Sequence, residues 1–449
     1  MALIKSISGI RGTIGGKVDE NLTPLDVVKF TSAFGTWLQN NKNKKDLTLV
    51  VGRDARISGS MVNSLVTATL QGLGIHVVDL GLSTTPTVEV MVPELNADGG
   101  IILTASHNPK QWNALKLLND KGEFITGENG AEVLALAENE DFNYAEVDDL
   151  GKYETREDAF DIHIQKIVDL PMVDADAIKA KKFKVVVDAV NSTGGIAIPQ
   201  LLEKFGCEVV KLYCEPNGDF PHNPEPLKEH LGDICELMKT EKADVGIVVD
   251  PDVDRLAFVD ENGELFGEEY TLVAVADYLL KNKKGAAVSN LSSSRALRDV
   301  AKTHNSEYFA SAVGEVNVVT LMKEKNAVIG GEGNGGIIYP DLHYGRDSLV
   351  GVALFLTHLA KENKTVSELR ATYPSYFMGK KKIELTPEID VDALLTKMEK
   401  VYQNEEISSI DGVKIDFEKN WVHLRKSNTE PIIRIYTEAF SQKEADQLG

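Results

Sequence analysis

The chain has 449 residues, 43% hydrophobic and 26% charged, enough for about three domains at roughly 150 residues each. Its 48 Lys and Arg against 69 Asp and Glu leave a formal net charge of −21, which disfavours nucleic acid and anionic membrane as partners. Cys207, Cys214 and Cys235 are the only cysteines and form no CxxC pair, so neither a disulfide framework nor a zinc site is indicated.

The opening residues, MALIKSISGIRG, hold no apolar run long enough for a signal peptide, and no later stretch approaches the ~18 apolar residues of a membrane helix. The expectation is a cytoplasmic protein in which any phosphate site is a local positive pocket. From Leu47, "LTLVVGRDARISG" is an apolar, β-branched run that breaks into small polar residues and a helical pattern, the mark of a buried strand feeding a helix. A second strand, "IHVVDLG", follows at crossover distance, and then "IILTASHNP" runs from a strand into a polar loop. The same strand, helix, strand spacing recurs with "FKVVVDAVNSTGG" and "CEVVKLY", and again with "GAAVSNLSSSRAL" and "SEYFASAVG". Three related α/β domains are expected, over residues 1–152, 153–256 and 257–371. From 372 to 449 the pattern changes: "KKKIELTPEIDVDALLTKMEK" reads as strand then helix, and "WVHLRKSNTEPIIRIYTEA" as strand, loop, strand. That predicts a smaller α+β domain whose last helix, in "SQKEADQLG", is short.

One loop in each domain carries chemistry. In Thr104 to Pro109 the bland reading is a strand-to-helix turn with Ser or Asn as cap. The functional one makes Ser106 a nucleophile or phosphate acceptor beside His107. A Ser-His-Asp hydrolase fits poorly, because no GxSxG elbow occurs. In "VGIVVDPDVDR", Asp250, Asp252 and Asp254 alternate after a hydrophobic strand and converge on one side. Three such carboxylates repel unless a cation neutralises them, and hard oxygen ligands suit Mg2+. An EF-hand would place Glu261 at its twelfth position, but Arg255 occupies the sixth, where glycine belongs, and a strand enters where a helix should. A DxD phosphatase with Asp250 as nucleophile is a further competitor. "VIGGEGNGGIIYP" sets Glu332 and Asn334 among five glycines, a loop able to approach sugar hydroxyls closely. Finally, Arg425, Ser427, Asn428, Thr429 and Arg434 in "RKSNTEPIIR" supply the anion pocket that an acidic chain requires.

Jointly the four loops resemble those of the α-D-phosphohexomutases, over essentially the whole chain. "SGIRG" with Arg11, "VGRDARISG" and "STTPT" are similar to landmarks of that family's first domain. The resemblance implies an α/β protein, three related domains with mixed sheets and a smaller C-terminal α+β domain around a central cleft. It implies interconversion of hexose 6-phosphate and hexose 1-phosphate through phosphorylated Ser106 and a sugar bisphosphate. Asp250, Asp252, Asp254 and a phosphate oxygen on Ser106 would hold Mg2+, with Arg255 steadying the site. Glu332 and Asn334 would bind the sugar, and Arg425, Ser427, Asn428, Thr429 and Arg434 the phosphate that is not reacting. His107, Lys116 and Arg11 are the acid–base candidates, with Asn113 and Lys116 at the family's N-x-x-K positions. The G-E-G-N-G-G loop, "AVGEVNV" and "YGRDSL" resemble the branch associated with phosphoglucosamine mutases, whereas Asn428 is more typical of phosphomannomutase/phosphoglucomutase members; glucosamine phosphate is the expected substrate, and the neutral hexose phosphates are the alternative. Turnover of the bisphosphate in one site also predicts that the fourth domain hinges.

Overall fold

The computed structural model describes residues 3–6, 9–42, 44, 46–386, 390–426 and 432–449. Its internal contacts divide the chain into two compact units, Met1–Glu268 with Gly335–Ser367, and Glu269–Asn334 with Glu368–Gly449.

The first unit contains a seven-stranded mixed sheet in the order Leu3–Ser6, Gly9–Thr13, Trp112–Leu118, Gly99–Leu103, Thr48–Arg53, His76–Leu82, Tyr153–Thr155. Its centre is parallel: Thr48–Arg53 pairs with both His76–Leu82 and Gly99–Leu103 in that sense, while Trp112–Leu118 joins antiparallel. The near-continuous apolar runs of these strands follow from burial on both faces. Leu49, Val51, Ile101 and Leu103 pack under helices Pro24–Asn41 and Gly59–Gly72. Val50 and Ile102 point the other way, against Val88, Met91 and Val92 of helix Thr85–Glu94, as the alternation of a strand demands. Helix Pro24–Asn41 begins at Thr23 with a full capping box to Asp26 and proline in its first turn, a sequence-encoded start.

A second sheet in this unit runs Leu256–Val259, Val245–Val249, Lys184–Asp188, Glu208–Leu212. It is parallel except for Leu256–Val259, which returns antiparallel to Val245–Val249. The three aspartates therefore occupy a hairpin turn. Helix Ser348–Glu362, in the stretch 335–367, covers this sheet by stacking Phe355 on Phe258 with centroids 3.7 Å apart. Its N-cap, Asp347, accepts from Leu349 N and Val350 N and also meets His163 Nε2 at 3.0 Å. His163 in turn is 3.0 Å from Thr87 Oγ1, so one buried polar chain fastens three segments.

In the second unit, strands Tyr308–Ser311, Ala287–Asn290 and Ile329–Glu332 lie side by side and parallel. The C-terminal sheet is antiparallel, in the order Phe377–Glu384, Ile432–Ala439, Trp421–Lys426, Val413–Asp416, Glu406–Ser408. Helices Val391–Val401 and Gln442–Leu448 accompany it, the first through Val391 over Val413, Ile415, Leu424 and Ile433. Arg295, at the start of helix Ala296–Thr303, ties the two sheets. It donates to Asp416 Oδ1 at 3.0 Å and to the carbonyls of Asn420 and Phe417, and its N–H reaches Glu438. The strands and crossovers expected from the sequence are present in both units. No helix among the described residues is long and apolar enough to cross a membrane.

Candidate active site

After strand Gly99–Leu103 the chain does not enter a helix. It turns through residues 104–111 and returns as strand Trp112–Leu118, so the capping explanation of Ser106 falls. Instead Ser106 is buried at φ 48°, in the left-handed region. Its N–H donates to Thr104 Oγ1 at 2.9 Å, and its hydroxyl donates to Asp250 Oδ2 at 2.7 Å. Thr104 Oγ1 in turn donates to Asp54 Oδ2 at 2.7 Å.

The loop is wrapped around a guanidinium that sequence reasoning missed. Arg56 is fully buried and pairs through Nε with Asp54 Oδ2 at 2.9 Å. Its other nitrogens donate to the carbonyls of Ser106, Asn108 (2.7 Å), Pro109 (2.8 Å) and Trp112 (3.1 Å). Burial raises the Asp54 pKa, opposed by Arg56 and by the Thr104 hydroxyl. Both residues stand in "VGRDARISG", where a charged pair just after a buried strand was the available signal.

Asp250, Asp252 and Asp254 are all completely buried, and one carboxylate oxygen from each lies within 4.8 Å of the others. Asp250 Oδ1 accepts the N–H groups of Asp254 and Arg255 at 3.1 Å each, and Val253, between the last two aspartates, is held at φ 65°. Asp252 Oδ2 accepts from Lys116 Nζ at 2.7 Å and Thr85 Oγ1 at 2.5 Å. Asp254 Oδ2 accepts from Arg346 at 2.7 Å and faces Lys116 at 3.4 Å. The remaining oxygens, Asp252 Oδ1 and Asp254 Oδ1, are buried with no hydrogen-bond donor. Buried carboxylate oxygens without donors are costly unless a cation meets them. The trio therefore fits a small oxygen-seeking metal ion.

The charges around this turn explain its titration. Burial, with the neighbouring Asp252 and Asp254 charges, pushes the Asp250 carboxyl well up. Burial acts the same way at Asp254, but Arg346, Lys116 and Arg255 outweigh it and hold that carboxyl below the usual range. Lys116 is desolvated too, yet Asp252 and Asp254 raise its pKa. Burial and the Arg255 charge push His107 well below the ordinary imidazole value. His107 Nδ1 is 3.5 Å from Ser106 Oγ. Arg11, on strand Gly9–Thr13, donates to Asn108 Oδ1 at 3.3 Å and lies within the electrostatic reach of Asp252, Arg255 and Asp254. Arg255 pairs with Glu225 at 2.8 Å, and Asn113, on strand Trp112–Leu118, donates to Ser58 Oγ at 3.0 Å. Ser106, His107, Lys116, Arg11, Arg255 and the three aspartates are thus brought together, with Thr85 and Arg346 as unforeseen partners.

In the second unit, Glu332 ends its strand buried and accepts from Asn290 Nδ2 at 2.8 Å and Gly314 N at 3.2 Å. Asn334 follows two residues on, as the last residue of that segment of the unit. Arg425 and Arg434 are directly opposite across the antiparallel pair Trp421–Lys426 and Ile432–Ala439. Like charges so placed repel, and Asp411 answers part of that charge by accepting from Arg425 Nε at 3.0 Å. Ser427, Asn428 and Thr429 lie outside the described residues.

Models of the phosphoglucomutase/phosphomannomutase domains match the chain in order: α/β/α domain I over 3–144, domain II over 161–263, domain III over 267–376, and the C-terminal domain over 382–448. The chain belongs to this family. It is accordingly a phosphohexomutase, an isomerase that acts by intramolecular phosphotransfer. Among its relatives is a phosphoglucomutase/phosphomannomutase of Thermococcus kodakarensis, 38% identical over 97% of this chain and 95% of that protein. A phosphoglucosamine/phosphogalactosamine mutase of Sulfurisphaera tokodaii is 34% identical over 100% and 98%. A probable phosphoglucosamine mutase of Methanopyrus kandleri is 33% identical over 98% and 95%. Among solved structures, a phosphoglucomutase/phosphomannomutase family protein from Burkholderia thailandensis superposes with a TM-score of 0.85 at 25% identity, covering 99% of this phosphohexomutase and 96% of its own chain.

Proposed function

We propose that this phosphohexomutase is a phosphoglucosamine mutase, interconverting glucosamine 6-phosphate and glucosamine 1-phosphate through phosphorylated Ser106 and a sugar bisphosphate. The carrying observation is the Ser106 hydroxyl, 2.7 Å from Asp250, beside two buried carboxylate oxygens without donors. Asp250, Asp252 and Asp254, with a phosphate oxygen on Ser106, would hold Mg2+. Mg2+ bound there would neutralise charge gathering on the transferring phosphoryl oxygens.

The side chains have separate tasks. Phosphoryl transfer breaks the bond from phosphorus to Ser106 Oγ and forms one to the 1- or 6-oxygen of the sugar, whose hydroxyl gives up its proton. In this reading that proton goes to His107, whose Nδ1 is 3.5 Å from Ser106 Oγ, and from it to Ser106 Oγ. Lys116, clamped between Asp252 and Asp254, and Arg11 keep positive charge at the reacting end. Arg255 holds the aspartate turn through its N–H to Asp250. Glu332 and Asn334 would take sugar hydroxyls, and Arg425 and Arg434, with Ser427, Asn428 and Thr429, the distal phosphate. Ser106 can then serve either end of the bisphosphate once the sugar has turned over.

The naming of several relatives as phosphoglucosamine mutases supports the amino sugar. The alternative reading takes glucose or mannose phosphate as substrate, in keeping with the name of the 38% identical phosphoglucomutase/phosphomannomutase. A coupled assay with Mg2+ and a trace of sugar bisphosphate, on glucosamine 6-phosphate, mannose 1-phosphate and glucose 1-phosphate, decides between them. The expected outcome is the highest kcat/KM on glucosamine 6-phosphate, and a neutral-sugar preference would establish the second reading. Ser106→Ala is expected to abolish turnover on every substrate and to remove the phosphate from the intact mass; retained turnover would point instead to Asp250 as nucleophile.

A further inference from the structure

Asp411 lies in the turn between strands Glu406–Ser408 and Val413–Asp416. The next residue, Gly412, is at φ 72°, and a Cβ there would come within 2.1 Å of Leu424 O. The turn is therefore pressed against the strand that carries Arg425. One oxygen, Asp411 Oδ2, accepts from Arg425 Nε at 3.0 Å and from Val313 N at 2.9 Å. The following N–H, of Gly314, donates to Glu332 Oε1 at 3.2 Å. Gly314 is at φ 118°, which glycine adopts without the penalty of a side chain. A parallel tie runs through His423, whose Nε2 donates to Asp411 O at 2.6 Å and whose Nδ1 meets Ser292 Oγ at 2.9 Å.

We infer that Asp411 is a positioning residue for phosphate binding, setting the plane of the Arg425 guanidinium and, through the Val313–Gly314 peptide, its register with the Glu332 carboxylate. This rests on the proposed roles of Arg425 and Glu332. Bidentate recognition of phosphate by arginine depends on where the planar fork points. A guanidinium held at Nε by a fixed carboxylate has that direction set before the anion arrives, which lowers the entropy lost on binding. The Asp411 carboxylate also offsets repulsion between Arg425 and the cross-strand Arg434. Because the same oxygen holds the Val313 peptide, displacement of Arg425 is transmitted one residue on to the partner of Glu332.

Steady-state kinetics on a sugar phosphate substrate, with Asp411→Ala, Asp411→Asn, Asp411→Glu and Arg425→Ala side by side, tests this. The Ala variant is expected to raise KM about tenfold or more, with kcat changed much less. The Asn variant keeps an acceptor oxygen and recovers most of the loss, whereas Glu keeps the charge but moves it and raises KM. A KM within about twofold of the parent protein in the Ala variant overturns the inference, as does a fall in kcat at constant KM or an Asn variant no better than Ala. Should Asp411→Ala not fold, an unchanged KM in Asp411→Glu overturns it equally. Arg425→Ala separates the two levels. If it raises KM while the Asp411 variants do not, only the positioning role is lost; if it leaves KM unchanged, the phosphate role of Arg425 fails as well.

Discussion

Ser106 and Val253 both hold left-handed backbone, a conformation that costs a residue with a Cβ about 1–2 kcal/mol. For a β-branched residue such as Val253 it is a genuine outlier. The surrounding contacts have to outweigh that cost, and at Ser106 they include the bonds to Thr104 and Asp250 and the one from Arg56 to its carbonyl. At Val253 they are complete burial and the N–H bond to Asp250 O. The result aims a hydroxyl and three carboxylates at one point. Removing one carboxylate charge tests the metal role most cleanly at Asp252, where one oxygen is held by Lys116 and the other has no donor. Asp252→Asn is expected to raise the Mg2+ needed for half-maximal activity about tenfold or more and to lower kcat by orders of magnitude. A Mg2+ titration of initial rates checks it; an unchanged titration would remove Asp252 from the metal set.

The turn between strands Gly99–Leu103 and Trp112–Leu118 has little regular structure, and its shape comes from a buried cation. Arg56 gathers four carbonyls of residues 106–112 and is neutralised by Asp54. Lysine keeps the charge but lacks the planar fork that spans those acceptors. Arg56→Lys is therefore expected to leave carbonyls unsatisfied, at about 1–3 kcal/mol for each buried orphan. It should also lower kcat while KM for substrate stays close to that of the parent, since the residues proposed for the distal phosphate are Arg425 and Arg434. Hydrogen exchange should accelerate first at residues 104–112. Protection there equal to the parent's would mean that the loop keeps its shape without the guanidinium.

Over the whole molecule, the net charge is −21, and Lys116, Arg346 and Arg255 answer it locally by pairing with Asp252, Asp254 and Glu225 around the aspartate turn. The C-terminal sheet contributes a pH dependence of its own. Burial pushes the His423 imidazole down to about 4, whereas an unfolded histidine titrates near 6.5. Between those values the unfolded chain binds the extra proton, so stability falls as pH drops through the window and levels off below it. The contribution amounts to a few kcal/mol at most. Thermal melts from pH 7 to 4 should decline, and His423→Gln should flatten the decline between about pH 6.5 and 4. An identical slope in the variant would place the acid sensitivity elsewhere.

The chemistry-bearing loops were legible because each follows an apolar run: Ser106 after Ile101 to Leu103, Asp250 after Val245 to Val249, Glu332 after Ile329. A buried strand must end in polar residues, and the residue types at its end declare their chemistry locally. Crossover spacing likewise indicated the α/β units, and the change of pattern after residue 371 a smaller α+β domain, whose antiparallel pairing the structure supplied. Tertiary structure alone decided who holds these groups in place. Arg56 reaches carbonyls 50 to 56 positions away, Arg346 meets Asp254 across 92, and Asp411 meets Val313 across 98. No periodicity or spacing encodes such partners, because ion pairing and hydrogen bonding depend on distance in space while sequence pattern reports only neighbours along the chain. The sequence determined which residue types stand at the ends of the buried strands; packing decided where they point.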